Sequence, residues 1–121
     1  MTKKVLLIDK DEIMTRILTR QFEAAGYEVE VASGGTEGLS KGKSLNPDVI
    51  ILDIMLPDTD GISLIKNFKQ DRQTSSIPVV VLTNLQVEER AEEARAAGSA
   101  DYLVKVNLTP EEIVERVERQ F

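Results

Sequence analysis

The chain has 121 residues, a length typical of one domain, and its 15 Lys plus Arg against 21 Asp plus Glu give a formal charge of −6. It contains no Cys and no His, which excludes disulfides, thiolate or histidine metal sites, a serine–histidine triad and a phosphohistidine. The negative charge argues against direct nucleic-acid binding, which needs a basic surface. No apolar run approaches the ~20 residues of a membrane helix, and no signal peptide is evident. We therefore expect one cytoplasmic domain over residues 1–121 that is not membrane-bound.

Five short apolar runs alternate along the chain with segments of helical spacing. The runs cover residues 5–8, 29–32, 49–52, 79–82 and 102–104. The first, third and fourth are continuously apolar, as in parallel strands that are covered on both faces. The second alternates with Glu28 and Glu30, which is typical of an edge strand with one wet face. Strands that alternate with helices in this way predict an open, doubly wound α/β sheet with helices on both sides.

Helical spacing follows each apolar run. The first helix is predicted to stop at Gly26, the third surrounds residues 62–68, and the fourth is lined by alanines and ends near Gly98. The last helix has the clearest start, because Thr109 followed by a proline and two glutamates forms a capping box. Residues 36–45 give the weakest helix, since each of its two glycines lowers helix propensity by about 1 kcal/mol.

Polar side chains follow the predicted strands, at the sheet edge where this architecture binds ligands. Asp9 and Asp53 end the first and third strands, Thr83 ends the fourth, and Lys105 follows the fifth. Both aspartates directly end apolar runs, so both should be half buried. Two carboxylates ~4 to 6 Å apart repel by about 3 to 4 kcal/mol at an effective dielectric of 20, so a cation is needed, either a metal ion or a lysine. Mg²⁺ suits such an oxygen-only arrangement, and the residues predict a divalent-cation or phosphoryl site.

Other acids near this edge have simpler explanations. Asp11 suits the N-cap of the first helix, and Glu12 suits its first turn. Asp58 and Asp60 precede a glycine in a turn-rich loop and are typical turn formers. The sequence contains neither G-x-x-x-x-G-K-[ST] nor G-x-G-x-x-G, so nucleotide binding by those loops is not indicated.

Four motifs together resemble the receiver domain of two-component response regulators. They are VLLIDKDE at the first strand, VIILDIMLPDTDG at the third, IPVVVLTN at the fourth and GSADYLVK at the fifth. The resemblance covers essentially the whole chain, which is similar to a single-domain receiver of the chemotaxis-regulator type. It implies a flavodoxin-like sheet in the strand order 2-1-3-4-5 with five helices. It also implies a signalling domain that catalyses only its own phosphoryl transfer and the slow loss of that group.

The resemblance implies a role for each matching residue of the site. Asp53 would be the phosphoacceptor, whose carboxylate takes a phosphoryl group from a histidine kinase, a phosphotransfer protein or a small acyl phosphate. Asp9, Asp53 and the backbone carbonyl of Met55 would hold Mg²⁺. Lys105 would pair with the phosphoryl group, so that cations neutralise the transferred charge.

The resemblance also implies a switch. Thr83 would turn its hydroxyl toward the phosphoryl group, and Tyr102 would swing inward behind it. The pair would relay the state to a downstream protein at the face made by the fourth helix, the fifth strand and the fifth helix; a homodimer is a further expectation. Met55 and Leu85 flank the phosphoryl group in the family, and here both are apolar. They offer no hydrogen bond to an attacking water, so we expect slow loss of the phosphoryl group.

Two residues depart from the family pattern. Where the family has a second acid, its main direct metal ligand, this chain has Lys10. Three outcomes are open: Mg²⁺ binding is weakened, the Lys10 ammonium replaces the cation and pairs with Asp53 in an active-like state, or Lys10 extends into solvent while Asp9 alone holds a weak metal. Where the family has a cis proline after the lysine, this chain has Val106. We expect a trans bond there, an altered loop into the last helix and a shifted reach of Lys105.

Two alternative functions remain open. Lys10 also fits a pseudo-receiver, which keeps the fold but serves as a constitutive protein-interaction module. Asp9-Lys10-Asp11 after an apolar strand fits the D-x-D motif of haloacid-dehalogenase-like phosphatases, with Asp9 as nucleophile and Asp11 as acid/base. That family needs an acidic pair after its lysine, and the glutamates found there belong to the predicted capping box. The phosphatase hypothesis also leaves Asp53 and its motif unexplained.

Overall fold

A five-stranded parallel sheet forms the centre of the computed structural model, which describes residues 2–121. The strands are β1 (Lys4–Ile8), β2 (Glu28–Ala32), β3 (Val49–Leu52), β4 (Val79–Thr83) and β5 (Asp101–Val104). Their order across the sheet is β2-β1-β3-β4-β5, which confirms the expected order and the edge position of β2. The residues of β3 and β4 are all buried, whereas most of β2 is partly exposed, as its alternating charges predicted.

Five helices connect the strands and cover both faces of the sheet. They are α1 (Glu12–Ala24), α2 (Gly35–Leu45), α3 (Gly61–Gln70), α4 (Glu88–Ala97) and α5 (Pro110–Glu118). One buried layer contains Ile8 and Phe68, and the other contains Leu7, Phe22 and Val117, so neighbouring residues of β1 point into opposite layers. The fold is the expected doubly wound, flavodoxin-like α/β arrangement. No helix within residues 2–121 is long and apolar enough to cross a membrane.

The helix ends follow the signals in the sequence. Asp11 caps α1, and its Oδ1 accepts a hydrogen bond from the Met14 amide at 3.1 Å. After α1, Gly26 takes a φ of +95°, a backbone conformation that glycine adopts without a steric penalty. The Thr109 hydroxyl accepts from the Glu112 amide at 3.2 Å, and the Glu112 carboxylate accepts from the Thr109 amide at 2.9 Å. The predicted capping box is therefore confirmed.

The glycines of helix α2 lie at positions where any side chain would collide with the core. A Cβ on Gly38 would be 2.5 Å from Cδ1 of Ile8, and a Cβ on Gly42 would be 2.5 Å from Cε1 of Phe68. Real Cβ atoms essentially never come within 3.0 Å of another heavy atom. The two glycines lower the helix propensity of α2, but they allow it to pack closely against β1 and α3.

Candidate functional site

Four buried polar residues meet at the carboxyl ends of the strands. Asp9, Asp53, Thr83 and Lys105 follow or end β1, β3, β4 and β5, and their exposed fractions are 8%, 4%, 0% and 6%. Strands β1 and β3 pair directly in parallel, so the two aspartates that follow them are brought to the same edge. Both aspartates are therefore buried more deeply than the half burial that the sequence predicted.

The ammonium of Lys105 lies between the two buried carboxylates. Its Nζ is 2.6 Å from Oδ2 of Asp9, 3.1 Å from Oδ2 of Asp53 and 3.8 Å from Oδ2 of Asp11. Burial by itself lowers the pKa of Lys105, but the hydrogen bond to Asp9 and the charges of Asp53 and Asp9 outweigh it, and the pKa lies above its usual value. Burial raises the pKa of Asp9 against the opposing effect of Lys105. A lysine, one of the two kinds of cation that the sequence left open, therefore lies between the carboxylates.

Backbone amides orient the two carboxylates. Oδ1 of Asp53 accepts a hydrogen bond from the Met55 amide at 3.0 Å, and Oδ1 of Asp9 accepts from the Asp11 amide at 2.9 Å. Each carboxylate therefore uses one oxygen for the backbone and the other for Lys105. This arrangement fixes the direction of both side chains without a further side-chain partner.

The two residues with an expected switch role share one backbone segment. Oγ1 of Thr83 accepts a hydrogen bond from the Leu85 amide at 3.3 Å, and the Tyr102 hydroxyl donates to the Leu85 carbonyl at 2.6 Å. Thr83 is fully buried and Tyr102 is half-buried. Burial is also the main reason that the pKa of Tyr102 lies above its usual value. Leu85 thus connects the buried hydroxyl to the aromatic ring.

The two atypical residues lie at the rim of the site. Lys10 is exposed, and within residues 2–121 it has no carboxylate closer than 4.0 Å. The alternative ion pair between Lys10 and Asp53 is therefore absent, since Lys105 already occupies that place. The peptide bond before Val106 is trans, as expected, and a 3-10 turn at Lys105–Asn107 leads into α5. With this trans bond, Lys105 reaches both buried carboxylates.

Two acids that the sequence explained as turn formers make longer-range contacts. Asp58 accepts hydrogen bonds from the amides of Gly35 and Thr36 at the start of α2, at 2.7 and 3.0 Å. Asp60 caps α3 and forms an ion pair with Arg90 of α4 at 2.6 Å. No local signal could have predicted the contacts with α2 and with Arg90, because these partners lie more than twenty residues away in the chain.

The face formed by α4, β5 and α5 carries charges that are paired within the chain. Arg116 of α5 binds Asp101 of β5 through two nitrogens, with Nε at 3.1 Å and Nη2 at 2.9 Å. On α4, Arg95 pairs with Glu88 at 2.9 Å. An apolar side chain, Val87, stands 46% exposed at the start of α4. The face therefore combines fixed charge pairs with a small exposed apolar spot.

Comparison with known proteins agrees with this geometry. The chemotaxis response regulator CheY4 of Vibrio cholerae, a solved structure, is 30% identical and superposes with a TM-score of 0.92 over 100% of both chains. The polar-differentiation response regulator DivK of Brucella ovis is 31% identical over 110 residues, which cover 91% of this chain and 89% of that protein. The alkaline phosphatase synthesis transcriptional regulatory protein PhoP of Bacillus subtilis is 37% identical over 117 residues, or 97% of this chain and 48% of that protein.

The sequence model of the response regulator receiver domain matches residues 5–118. This chain spans about half the length of PhoP and of two other curated transcriptional regulators that it matches. Receiver domains act in signalling rather than in metabolite turnover, and they interact with histidine kinases and downstream effectors. We therefore set aside the phosphatase hypothesis. The match includes Asp53 and its motif, which that hypothesis left unexplained, as well as Asp9. The chain belongs to the response regulator receiver domain family of two-component signalling.

Proposed function

We propose that this domain accepts a phosphoryl group on Asp53 and changes its partner-binding face in response. The proposal rests mainly on one observation, the Lys105 ammonium held between the buried carboxylates of Asp9 and Asp53. A carboxylate that is fixed by a backbone amide and faces a buried cation suits attack on an electrophilic phosphorus. The same cation suits the anionic group that results.

The transfer step requires an activated phosphoryl donor from outside the chain. An oxygen of the Asp53 carboxylate attacks phosphorus and forms a new P–O bond. The bond from phosphorus to the imidazole nitrogen of a phosphohistidine, or to the carboxylate oxygen of a small acyl phosphate, breaks with its electron pair on the donor. The product is a mixed anhydride on Asp53. Because this chain has no His, a histidine kinase or phosphotransfer protein must carry the phosphohistidine.

We further propose that Mg²⁺ assists this step and binds weakly. Carboxylate and carbonyl oxygens are the ligands that Mg²⁺ prefers, and Asp9, Asp53 and the carbonyl of Met55 supply that chemistry. However, Lys10 replaces the family's main ligand, and within residues 2–121 no group of three or more acids is arranged to hold a metal. The donors present fit an ion held mostly by water and phosphate oxygens. When bound, it supplies positive charge to the phosphoryl oxygens.

The relay that we propose passes through Leu85. If the Thr83 hydroxyl turns toward a phosphoryl oxygen, it leaves the 3.3 Å hydrogen bond from the Leu85 amide. The carbonyl of the same residue accepts the hydrogen bond of the Tyr102 hydroxyl. Movement of Leu85 would break that bond and let the ring turn toward the interior. The face of α4, β5 and α5 would then present a different surface to a downstream protein. A second copy of this chain is the other candidate occupant, and sedimentation with and without the phosphoryl group separates the two.

We also expect the phosphoryl group to persist. Met55 and Leu85 are apolar and place no hydrogen-bonding side chain beside Asp53 to orient an attacking water. The measurement is the intact mass of the protein over time after the phosphoryl donor has been removed. Loss of the adduct within the first time points would contradict this expectation.

A pseudo-receiver is the second candidate, and Lys10 is the observation that favours it. A chain with a lysine at the metal-ligand position, and with Lys105 already neutralising both carboxylates, has less need of a metal ion. Such a domain would remain unphosphorylated and act through its contacts alone. Restoration of tight Mg²⁺ binding by Lys10→Asp would indicate that the rest of the site is intact.

The deciding experiment is incubation with acetyl phosphate, with and without Mg²⁺, followed by intact mass and peptide mapping. A Mg²⁺-dependent adduct on Asp53 that Asp53→Asn abolishes is the expected result. Asp48→Asn is the matched control, because Asp48 is exposed and its carboxylate accepts a hydrogen bond from the Lys4 amide, at the opposite end of β1 from Asp9. If the adduct forms equally well without Mg²⁺, the chain's own lysines supply the positive charge that we assign to the metal ion. No adduct under either condition would replace the proposal by the pseudo-receiver.

A further inference from the structure

The loop between β3 and α3, residues 53–60, supplies the cap that α2 lacks. The N-cap residue of α2 is Gly34, which has no side chain to accept the free amides of the first turn. Asp58 does so from the loop: its Oδ1 accepts from the Gly35 amide at 2.7 Å and its Oδ2 from the Thr36 amide at 3.0 Å. These amides, with Thr36 contributing most, hold the pKa of Asp58 below its usual value.

The glycine pair at the start of α2 is what allows this approach. A Cβ on Gly34 would lie 2.9 Å from Oδ1 of Asp58, and a Cβ on Gly35 would overlap the methyl group of Thr59. A side chain at either position would therefore force Asp58 or Thr59 to move. Gly34 and Gly35 thus leave the start of α2 without a cap of its own and also leave room for the loop that supplies one.

The opposite flank of the same loop is tied to α4. Oδ1 of Asp60 accepts the Ile62 amide at 3.2 Å, which caps α3, and also accepts Nη2 of Arg90 at 2.6 Å. Two carboxylates of one short loop thus bind three helices: α2 through Asp58, and α3 and α4 through Asp60. The loop is held from both sides.

The inner side of the loop touches the phosphoacceptor. The Met55 amide donates to Oδ1 of Asp53 at 3.0 Å, and Met55 also forms a bridge with Asp60. The Gly61 amide donates to the carbonyl of Ile54 at 2.8 Å and closes the loop. A hydrogen-bonded turn therefore lies between the Asp53 carboxylate and the two outer anchors.

We infer that Asp58 and Asp60 are positioning residues that hold the Met55 amide on the Asp53 carboxylate by fixing this loop between α2 and α4. Because coupling is reciprocal, a change in the group bound at Asp53 alters both anchors. This second consequence rests on the proposed phosphorylation, whereas the positioning itself does not. The route is separate from the one through Thr83 and Tyr102.

The positioning is tested in the unphosphorylated protein by NMR amide shifts and hydrogen exchange. Asp58→Ala should speed exchange at the Gly35 and Thr36 amides roughly tenfold, as expected for a lost cap, and should also shift and deprotect the Met55 amide. Asp58→Asn keeps a carbonyl acceptor and should restore part of the Met55 protection. Exchange that changes only in α2, with the Met55 amide unmoved, would overturn the inference and leave Asp58 a helix cap alone.

Matched variants separate the two anchors from general surface effects. Arg90→Ala should perturb Met55 from the α4 side, and Arg90→Lys should do so less. Asp71→Ala is the control. Like Asp60, Asp71 accepts a backbone amide, that of Gln73 at 2.8 Å, and pairs with a basic side chain, but that side chain is Lys43 of α2 and not a residue of α4. A shift of the Met55 amide in the control as large as in Asp58→Ala would contradict a specific role for the loop.

The second consequence is tested with acetyl phosphate and Mg²⁺. Where intact mass shows the adduct, the shifts that it causes at Gly35 and Thr36 should shrink in Asp58→Ala; undiminished shifts would overturn the coupling. If the parent protein forms no adduct, the proposed phosphorylation fails, and the Met55 readout in the free protein still decides the positioning. The two failures are therefore distinguishable.

Discussion

Replacement of Lys105 by methionine tests the electrostatic basis of the site. Methionine keeps an unbranched chain of similar length but carries no charge. The ammonium now lies 2.6 Å from Asp9 and 3.1 Å from Asp53, so its removal leaves two buried carboxylates facing each other. We expect the variant to fold and to be clearly less stable at neutral pH.

The magnitude follows from the burial of the three groups. Removal of one partner from a buried ion pair typically costs 3 to 5 kcal/mol, because the remaining charge stays desolvated. The site lies at the edge of the sheet, and Asp9 retains 8% exposure, so water relieves part of the penalty. We expect a loss of about 3 kcal/mol in the free energy of unfolding. For a domain of this size, that corresponds to a decrease in Tm of roughly 10 °C.

Two conditions should restore the variant. Burial already raises the pKa of Asp9 in the folded state, and loss of the Lys105 ammonium removes the effect that opposes it. The folded state therefore binds that proton more tightly than the unfolded chain does, and the stability of Lys105→Met should rise as the pH falls below neutral. Mg²⁺ should act in the same direction if Asp9 and Asp53 hold it. At a concentration 100 times its Kd, a bound ion contributes about 2.7 kcal/mol.

Urea denaturation followed by far-UV circular dichroism, at several pH values and with and without Mg²⁺, measures these effects. Lys10→Met is the matched control, because Lys10 is exposed and near the same site; we expect a change within about 0.5 kcal/mol. If Lys105→Met proves as stable as the parent at pH 7, or equally sensitive to pH, the countercharge argument is refuted. A control that loses as much stability would refute it as well.

Three further predictions concern the fold around the site. Gly38→Ala should lower the free energy of unfolding by about 1 kcal/mol in urea denaturation, since crowding against Ile8, 2.5 Å from the new Cβ, exceeds the gain in helix propensity; a more stable variant would contradict this. Thr109→Ala should cost about 1 kcal/mol by removing the capping box of α5, and an unchanged denaturation midpoint would argue against it. Burial, and then the hydrogen bond to Glu118, raise the pKa of Tyr27 to about 12. Because the folded state favours the neutral phenol, stability should fall as the pH rises from about 10 to 12, and Glu118→Gln should lower the midpoint of phenolate absorbance; an unmoved midpoint would exclude the hydrogen bond as a cause.

The strands could be predicted from the sequence because burial on both faces leaves an unmistakable pattern. The continuous runs that became β1, β3 and β4 were located to within one residue at each end. The edge position of β2 followed from Glu28 and Glu30, since only a strand with one wet face tolerates that alternation. The weak helix α2 was placed correctly but for an incomplete reason, because the collisions that explain its glycines lie on other elements.

The candidate site was predicted as a set of residues but not as a geometry. By itself Lys105 has the features of a surface lysine, and its burial depends on Asp9 and Asp53 meeting at one edge. The need for a cation between two carboxylates could be argued from charge, yet a metal ion and a lysine satisfied that argument equally. The contacts of Asp58 and Asp60 were missed because their partners are distant in sequence, and turn-forming residues have the same local signature whether or not they reach another helix.

The glycines of α2 also constrain how this chain can vary. The space that a side chain at Gly38 would fill is already filled by Ile8, and the space at Gly42 is filled by Phe68. Each volume is thus shared by two positions, one on the helix and one in the core. Core substitutions are tolerated best when they conserve the total side-chain volume, so a larger residue at one position requires a smaller residue at the other. In relatives, alanine or serine at position 38 should accompany a residue smaller than isoleucine at position 8, and positions 42 and 68 should vary together in the same reciprocal way.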